Sequence, residues 1–254
     1  MNTRLRKIDE IRGLTLISMI LYHFMWDLYF IAGFHIDWYT GPIGYVWQKS
    51  ICICFIFISG FCFSMGKNRL KRSLLIFICG CIITAVTLIF MPENRVIFGI
   101  LTFIGSAGLI MIPVDKLHKY LEGKLDRKTL NLTMLIGNLI FFIAFFKVNF
   151  GQIFVFVGSI DVPHYFYSGY ISTFFGFPAP TFFSTDYFAI LPWIFLYFVG
   201  YYAEKIILKI NKVEDYLKED RLKAISFIGR KTLIIYMLHQ PVLYLITLIA
   251  MRLK

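Results

Sequence analysis

The chain has 254 residues, of which 58% are hydrophobic and 19% aromatic, and its mean hydropathy is +0.71. This composition excludes a soluble globular enzyme, because one core of that size cannot bury so much apolar surface, and it predicts an integral membrane protein. The net charge of +11 does not indicate nucleic-acid binding, because the basic residues lie in short segments between apolar runs and act as topology signals.

Seven apolar runs follow one another along the chain, and each is long enough to cross a hydrocarbon core of roughly 30 Å. They cover residues 8–33, 44–66, 71–91, 96–114, 130–147, 187–208 and 231–251. We therefore predict an all-α, polytopic transmembrane helix bundle with about seven spans, in a single membrane-embedded domain over 1–254. The first run is too long for a cleaved signal peptide and is expected to remain as an anchor.

The Lys and Arg residues are distributed unequally between the two predicted sides of the membrane. One side carries 21 of the 26 basic residues and the other carries 5. This asymmetry predicts a protein of the cell membrane with a cytoplasmic N-terminus and an outer C-terminus. The cytoplasmic segment 205–231 is charged and helix-prone, and it is expected to lie along the membrane surface.

The outer segment 148–186 is long for a connection and rich in aromatic residues. An aromatic belt at the membrane interface explains this composition, and a platform that stacks on sugar rings is the alternative. The sequence also leaves open a re-entrant piece within 150–183.

The first apolar run contains two ionisable residues, His23 and Asp27, at positions i and i+4. On a helix this spacing puts both side chains on one face, where they can touch. Ionisable groups at bilayer depth cost several kcal/mol, so they usually line a functional path. We interpret His23 as a candidate general base that the Asp27 carboxylate orients, and the alternative is a polar pair that fixes helix packing.

The last run contains His239, Gln240 and Pro241. Pro241 has no N–H, so it frees a backbone carbonyl in the preceding turn and exposes polar groups within the span. We predict that His239 and Gln240 contact a bound donor substrate. At 1.5 Å per residue, His239 lies about 10 Å into its span and His23 about 22 Å into the first, so their depths should differ by roughly 12 Å.

Other candidate residues lie near the predicted membrane surfaces. Arg12 is either a positive-inside anchor or a guanidinium that binds phosphate. His35 lies just beyond the outer end of the first run. Asp186 lies at the outer end of the sixth run, and Trp193 lies a turn or two below it. Asp186 either contacts substrate, or Asp186 or Thr185 caps that helix.

Several further residues are assigned to packing. Ser59 and Gly60 predict a close approach of two helices, and Asn138 predicts a hydrogen bond across helices. The five cysteines all lie in apolar runs and are interpreted as inert thiols, so we expect neither a disulfide framework nor a metal site. Walker A, HExxH and GxSxG motifs are absent, which argues against ATP-driven transport and against zinc or serine hydrolysis.

Five stretches in chain order resemble a known family. The first is RKIDEIRGLTLISMILYHFMWDL at 6–28, followed by FIFISGF (55–61), FGILTFIGSAGLIMIP (98–113), STDYFAILPW (184–193) and IGRKTLIIYMLHQPVL (228–243). They resemble bacterial relatives of heparan-α-glucosaminide N-acetyltransferase, which belong to a wider group of multi-pass membrane acyltransferases.

The resemblance implies transfer of an acetyl group from cytoplasmic acetyl-CoA to a sugar across the membrane, with the help of a histidine. That histidine belongs to an H-x-x-W-x-G pattern, which His35 and Trp38 match except for one extra residue before Gly41. The lysosomal enzymes have asparagine at the position of His23, whereas short bacterial members have His and Asp like this chain. Either His23 or His35 can therefore be the base.

The leading hypothesis is a membrane acyltransferase that uses acetyl-CoA or another acyl-CoA as donor and a sugar or glycan as acceptor. Arg12, His239 and Gln240 are expected to bind the donor. The expected substrate contacts are Trp38, Asp186 and Trp193. Its partners are then the lipid bilayer and these substrates, with a second copy of the chain as an open possibility and no permanently bound cofactor. A proton-coupled transporter and a membrane scaffold are the alternative classes.

Overall fold

The structure is a computed structural model, and it describes residues 4–252. Over these residues the chain is mostly helical. Its α-helices are α1 (Arg6–Phe30), α2 (Asp37–Thr40), α3 (Pro42–Phe61), α4 (Arg69–Phe90), α5 (Ile100–Glu122), α6 (Arg127–Ala144), α7 (Gly169–Phe175), α8 (Trp193–Ile207), α9 (Asn211–Lys218), α10 (Lys223–Arg230) and α11 (Thr232–Arg252).

The described residues form two compact units. The terminal unit contains the residues up to Phe55 together with those from Leu208 onward, and the central unit is Ile56–Ile207. The terminal unit therefore combines α1, α2 and the first part of α3 with α9, α10 and α11. The central unit contains the end of α3 and α4 to α8.

Five helical segments between residues 4 and 252 are long and apolar enough to cross a membrane. They are Pro42–Phe61, Arg69–Phe90, Ile100–Glu122, Arg127–Phe150 and Thr232–Arg252. The predicted count of seven also included α1 and α8. Helix α8 has only 15 residues, and the apolar run of α1 is interrupted by charged and polar side chains. That these two helices also cross the membrane stays a prediction.

Among the described residues, the departure from an all-α fold is a β-hairpin in the predicted outer segment. Strand β1 (Gln152–Val155) pairs with the antiparallel strand β2 (Gly158–Asp161), and Val155 lies opposite Gly158. Gly158 has a φ of 142°, a backbone conformation that residues other than glycine rarely adopt. The all-α prediction is therefore wrong for this segment, where a hairpin signal of alternating residues around a glycine turn was missed.

The predicted cytoplasmic segment 205–231 includes α9 and α10, which belong to the terminal unit. Helix α10 contacts the first turns of α1 backbone to backbone, because a Cβ at Gly13 or at Gly229 would overlap a carbonyl oxygen of the other helix. Glu10 also fixes the two residues that precede α10, since its Oε1 accepts hydrogen bonds from the backbone N–H groups of Arg221 at 2.6 Å and Leu222 at 3.0 Å. The start of α1 therefore holds the segment that precedes α11.

In the central unit the predicted close approach at Gly60 is confirmed. A Cβ at Gly60 would overlap the carbonyl oxygen of Tyr197 on α8, and a Cβ at Gly200 would overlap that of Phe57. The prediction for Asn138 is wrong, because its Nδ2 donates to the carbonyl oxygen of Met134, one turn back in the same helix, at 2.7 Å. An asparagine can satisfy its amide locally, so its presence in an apolar helix does not require a partner helix.

Candidate functional site

Two histidines from opposite ends of the sequence meet in the terminal unit. The imidazole of His23 on α1 lies against that of His239 on α11, with 4.8 Å between ring centroids. The predicted depth difference of roughly 12 Å between them is therefore wrong. It assumed that both helices begin at one level, whereas α10 lies beside the first turns of α1 and α11 starts only after α10.

The carboxylate of Asp27 is held by α11 rather than by His23. Asp27 is fully buried, and its Oδ1 accepts a hydrogen bond from Gln240 Nε2 at 2.8 Å. No hydrogen bond joins Asp27 to His23 within the part of the chain that the structure describes. The shared face of His23 and Asp27 is confirmed, because one residue meets His239 and the other meets Gln240. The carboxylate of Asp27 is hydrogen-bonded by the amide of Gln240 and not by His23.

Three buried polar atoms on Asp27, His239 and Gln240 have no hydrogen-bond partner among residues 4–252. They are Asp27 Oδ2, His239 Nε2 and Gln240 Oε1. Leaving a buried polar atom unpaired costs about 1–3 kcal/mol, so such atoms are rare unless they serve a ligand, a water molecule or a reaction. We call His23, Asp27, His239 and Gln240 together the histidine site.

The tautomer of His239 follows from its backbone contact. Its Nδ1 lies 2.5 Å from the carbonyl oxygen of Tyr236. A carbonyl oxygen only accepts hydrogen bonds, so Nδ1 carries the hydrogen and Nε2 keeps its lone pair. The atom with the lone pair is the one that has no partner. His239 can therefore accept a proton, which makes it a candidate base. The sequence analysis predicted only donor binding for this residue.

An aromatic cluster adjoins the histidine site on the side of α2 and α3. The ring of Tyr22 lies against the rings of His23, Tyr39 and Trp47, at centroid distances of 6.0, 5.0 and 5.3 Å. Trp47 is fixed by a 2.8 Å hydrogen bond from its Nε1 to Ser18 Oγ. Tyr39 and Trp47 could not be recognised from sequence patterns, because aromatic residues are common in apolar segments and only the fold brings these two together.

The two residues of the H-x-x-W pattern lie in the connection before α3. Trp38 is 43% exposed and stacks on Trp47, with 6.1 Å between ring centroids. His35 is exposed, and neither a hydrogen bond nor a ring contact joins it to any other described residue. Of the three candidate histidines, His23 and His239 therefore contact each other, whereas His35 has no ring contact or hydrogen bond with either.

Arg12 has an internal partner at the start of α1. Its Nη1 lies 3.4 Å from Asp9 Oδ1, and Arg4 Nε reaches the other oxygen of the same carboxylate at 2.5 Å. The side chain of Arg12 is one-fifth exposed, so part of its guanidinium remains accessible. A phosphate contact of Arg12 stays a prediction.

Asp186 and Trp193, the other predicted substrate contacts, belong to the central unit. Asp186 Oδ2 accepts a hydrogen bond from the backbone N–H of Ile100, the first residue of α5, at 3.1 Å. The alternative that Asp186 caps its own helix is therefore wrong, because the carboxylate caps α5 instead. Trp193 is buried, and its ring packs against Phe142 and Phe188. A substrate contact of either residue stays a prediction.

The sequence analysis missed another buried carboxylate, Asp115 on α5. Its Oδ2 pairs with Arg69 Nη1 at 2.5 Å and with Lys119 Nζ at 2.8 Å, and its Oδ1 accepts from Tyr201 Oη at 2.6 Å. We call these four residues the Asp115 cluster. The pairing of Asp115 with Lys119 at i and i+4 was the available signal, but Arg69 and Tyr201 come from other helices.

Residues 4–252 contain no group of three or more His, Cys, Asp and Glu side chains arranged to hold a metal ion. The five cysteines are free thiols. The side chains of the histidine site are two imidazoles, a carboxylate and an amide.

One comparison with known proteins identifies relatives. A family model described as "Heparan-alpha-glucosaminide N-acetyltransferase, catalytic" matches residues 4–122 and 128–241. No curated protein and no solved structure matches the chain significantly. The matched ranges include all four residues of the histidine site.

Proposed function

Because the chain belongs to the heparan-alpha-glucosaminide N-acetyltransferase catalytic family, a family of membrane acetyltransferases, we propose that it moves an acetyl or acyl group across the membrane. The donor is a cytoplasmic acyl-CoA, and the acceptor is a sugar or glycan hydroxyl or amine at the outer face. The family supports the reaction type, and the distribution of basic residues supports the sidedness.

The observation that carries this proposal is the unpartnered lone pair of His239 Nε2 beside His23. The imidazole takes the proton from the acceptor hydroxyl or amine as that atom attacks the thioester carbonyl. A C–O or C–N bond forms, the C–S bond breaks, and the proton passes from the imidazolium to the sulfur of CoA. Asp27 lies one turn from His23 and stabilises the positive charge that develops on the rings.

Direct transfer to the acceptor is favoured over an acyl-enzyme. Among the described residues no Ser, Thr or Cys side chain is hydrogen-bonded to either ring of the histidine pair. Covalent catalysis by such a side chain requires a base within hydrogen-bond reach of the nucleophile. Both substrates are therefore expected at the site together.

The remaining predicted residues have roles in this proposal. Arg12 contacts the donor phosphates, and the partly exposed ring of Trp38, which stacks on the aromatic cluster beside the histidine site, contributes to acceptor binding. The outer segment presents exposed aromatic rings that can stack on sugars, among them Phe150 at 83% and Tyr165 at 73% exposure.

The test uses the full chain in sealed inside-out vesicles that contain a mixture of sugar acceptors. Radiolabelled acetyl-CoA is added outside, on the cytoplasmic face. Labelled acceptor inside the lumen supports the proposal, and label that appears only on acceptors outside contradicts the transmembrane direction. The matched control is His164→Gln, an exposed histidine of the outer segment, which should transfer at the rate of the unaltered chain.

A proton-coupled transporter is the second candidate, because paired imidazoles beside a buried carboxylate can also relay protons. The two functions differ in their response to CoA thioesters. Acetyl-CoA should raise the melting temperature of an acyltransferase, whereas a transporter should show proton-dependent uptake and no such shift.

A further inference from the structure

A cleft runs along three helices of the central unit, α5, α6 and α8. Its volume is about 440 Å³, which lies within the range of roughly 300–1,000 Å³ that is typical of small-molecule sites. Each helix contributes one face, since the lining positions recur at the spacing of a helical turn. The walls are mostly apolar and include Leu117 and Leu121 on α5, Met134 and Phe141 on α6, and Phe195 and Phe198 on α8.

Gly137 keeps the cleft open on the side of α6. It lies in the middle of the lining row of this helix, and a Cβ added to it would meet no atom within 4 Å. The glycines at helix contacts of the same unit differ, because a Cβ at Gly60 or Gly200 would overlap a carbonyl oxygen of the other helix. Glycine weakens a helix interior, and at Gly137 no close helix contact compensates for this. The residue therefore preserves space rather than packing.

The cleft lies among helices that contact lipid. Helices α5 and α6 are both long and apolar enough to cross a membrane. On α6 the exposed side chains of Ile136, Leu139 and Ile140 surround Gly137 on the outward side. In a bilayer such a surface is covered by hydrocarbon chains, so these chains have direct access to the cleft and water-soluble molecules do not.

One end of the cleft is polar. His118 lines it, is 2% exposed, and lies one turn before Glu122, the last residue of α5. Its Nε2 is 3.2 Å from Glu122 Oε1 without the geometry of a hydrogen bond, and it has no hydrogen-bond partner among residues 4–252. The carboxylate favours a hydrogen on Nε2, so the missing partner is an acceptor. The ester carbonyl of a lipid is such an acceptor.

Basic residues lie beyond this polar end. Lys124, Arg127 and Lys128 are exposed in the connection between α5 and α6 and in the first turn of α6. Arg127 and Met134 are seven residues apart, so Arg127 lies on the face of α6 that lines the cleft. At 1.5 Å per residue it lies about 15 Å from Gly137 along the helix. A phosphate near Arg127 therefore leaves room for a hydrocarbon chain to reach Gly137.

We propose that this cleft binds one acyl chain of a membrane phospholipid. The chain fills the apolar rows beside Gly137, an ester carbonyl accepts a hydrogen bond from His118, and the phosphate lies among the basic residues at the start of α6. The lipid comes from the leaflet on the side of the α5–α6 connection. The proposal does not depend on the acyl transfer proposed above, which concerns residues of the terminal unit.

The experiment titrates the purified, delipidated full chain in neutral detergent with dioleoylphosphatidylglycerol and counts bound lipids by native mass spectrometry. Gly137→Leu is the main test variant, because its side chain enters the cleft where a Cβ meets no other atom. Ile136→Phe is the matched control, since Ile136 precedes Gly137 on α6, is 47% exposed and does not line the cleft. His118→Phe tests the polar end and keeps an aromatic ring in place.

We expect the unaltered chain to bind one phospholipid saturably. Gly137→Leu should weaken binding at least about tenfold by filling the space, and His118→Phe about 2- to 10-fold by removing one hydrogen bond. Ile136→Phe should change it by less than about twofold. Without added lipid, the melting temperature of Gly137→Leu should equal or exceed that of the unaltered chain, since leucine is the better helix former.

Three outcomes would overturn the proposal. Full lipid binding by Gly137→Leu, or an equal loss in Ile136→Phe, would show that lipid is bound only at the outer surface of the helices. Equal affinity for dioleoylglycerol, which lacks a phosphate, would exclude a phospholipid as the specific occupant. A dimer that retains no lipid would assign the cleft to a second copy of the chain.

Discussion

The histidine site and the Asp115 cluster both bury a carboxylate among helices, but they differ in how completely it is bonded. Asp115 has three donors on its two oxygens, whereas Asp27 has one donor and leaves Oδ2 without a partner in the described structure. A fully bonded carboxylate anchors helices. One with an open position carries an energetic cost that only a transient partner, such as substrate or a proton, relieves.

The largest expected loss of activity comes from replacing His239 in the histidine site. His239→Ala should lower the rate of acetyl transfer about 10²- to 10⁴-fold, because it removes the imidazole that accepts the proton. The melting temperature should change little, since the ring makes one backbone hydrogen bond. The measurement is labelled acetyl transfer from acetyl-CoA, with His164→Gln as control. Near-normal turnover of His239→Ala, together with loss of turnover in His35→Ala, would move the base to His35.

Replacing each carboxylate by its amide tests the contrast directly. Asp115→Asn should destabilise the protein by about 2–3 kcal/mol, because Arg69 and Lys119 lose a charged partner, with a reduction for their partial exposure. Asp27→Asn should leave stability nearly unchanged and reduce turnover instead. Thermal unfolding and transfer rates are measured on both variants. If Asp27→Asn unfolds the protein and Asp115→Asn does not, the assigned roles are reversed.

A smaller effect is expected from Gln240. Gln240→Ala should reduce turnover about 10- to 100-fold, because the buried Asp27 carboxylate loses its one hydrogen bond, which is worth about 1.5–3 kcal/mol for a charged acceptor. Gln240→Glu should be more damaging than Gln240→Ala, since it places two carboxylates together. Turnover ranked in the opposite order would show that Gln240 does not hold Asp27 during the reaction.

The smallest effect is expected from the aromatic cluster. Trp47→Phe keeps most of the ring packing but removes the hydrogen bond to Ser18, so it should cost about 1 kcal/mol of stability. Ser18→Ala should cost a similar amount, and the double variant should cost less than the sum. Additive losses, measured as melting temperatures, would mean that the two side chains act independently.

The sequence predicted those features that depend on local spacing. The order of the apolar runs, the shared face of His23 and Asp27, and the close approach at Gly60 all follow from periodicity or side-chain size along one helix. The contact of His23 with His239 could not be predicted, because it depends on the relative level of two helices at opposite ends of the sequence. Counting residues from the start of each helix placed His23 and His239 at different depths. The count could not include the position of α10 beside α1, which is a tertiary feature.

The Asp115 cluster illustrates the same limit. One of its pairs is local, but the arginine and the tyrosine come from helices that precede and follow α5, so sequence spacing gives no sign of them. Asn138 shows the converse, because a polar residue that suggested a tertiary partner is satisfied by its own helix.

The terminal unit is assembled from both ends of the chain, and this has a consequence for biogenesis. Asp27 and Gln240 are separated by 213 residues, so α1 is synthesised long before the helix that supplies the partner of its carboxylate. At about 5–20 residues per second, this interval lasts roughly 10–40 s. During that time the nascent chain must keep an unpaired acid in its first helix. Translation of the last helix therefore completes the histidine site, and chains that end before it should lack the proposed transfer activity.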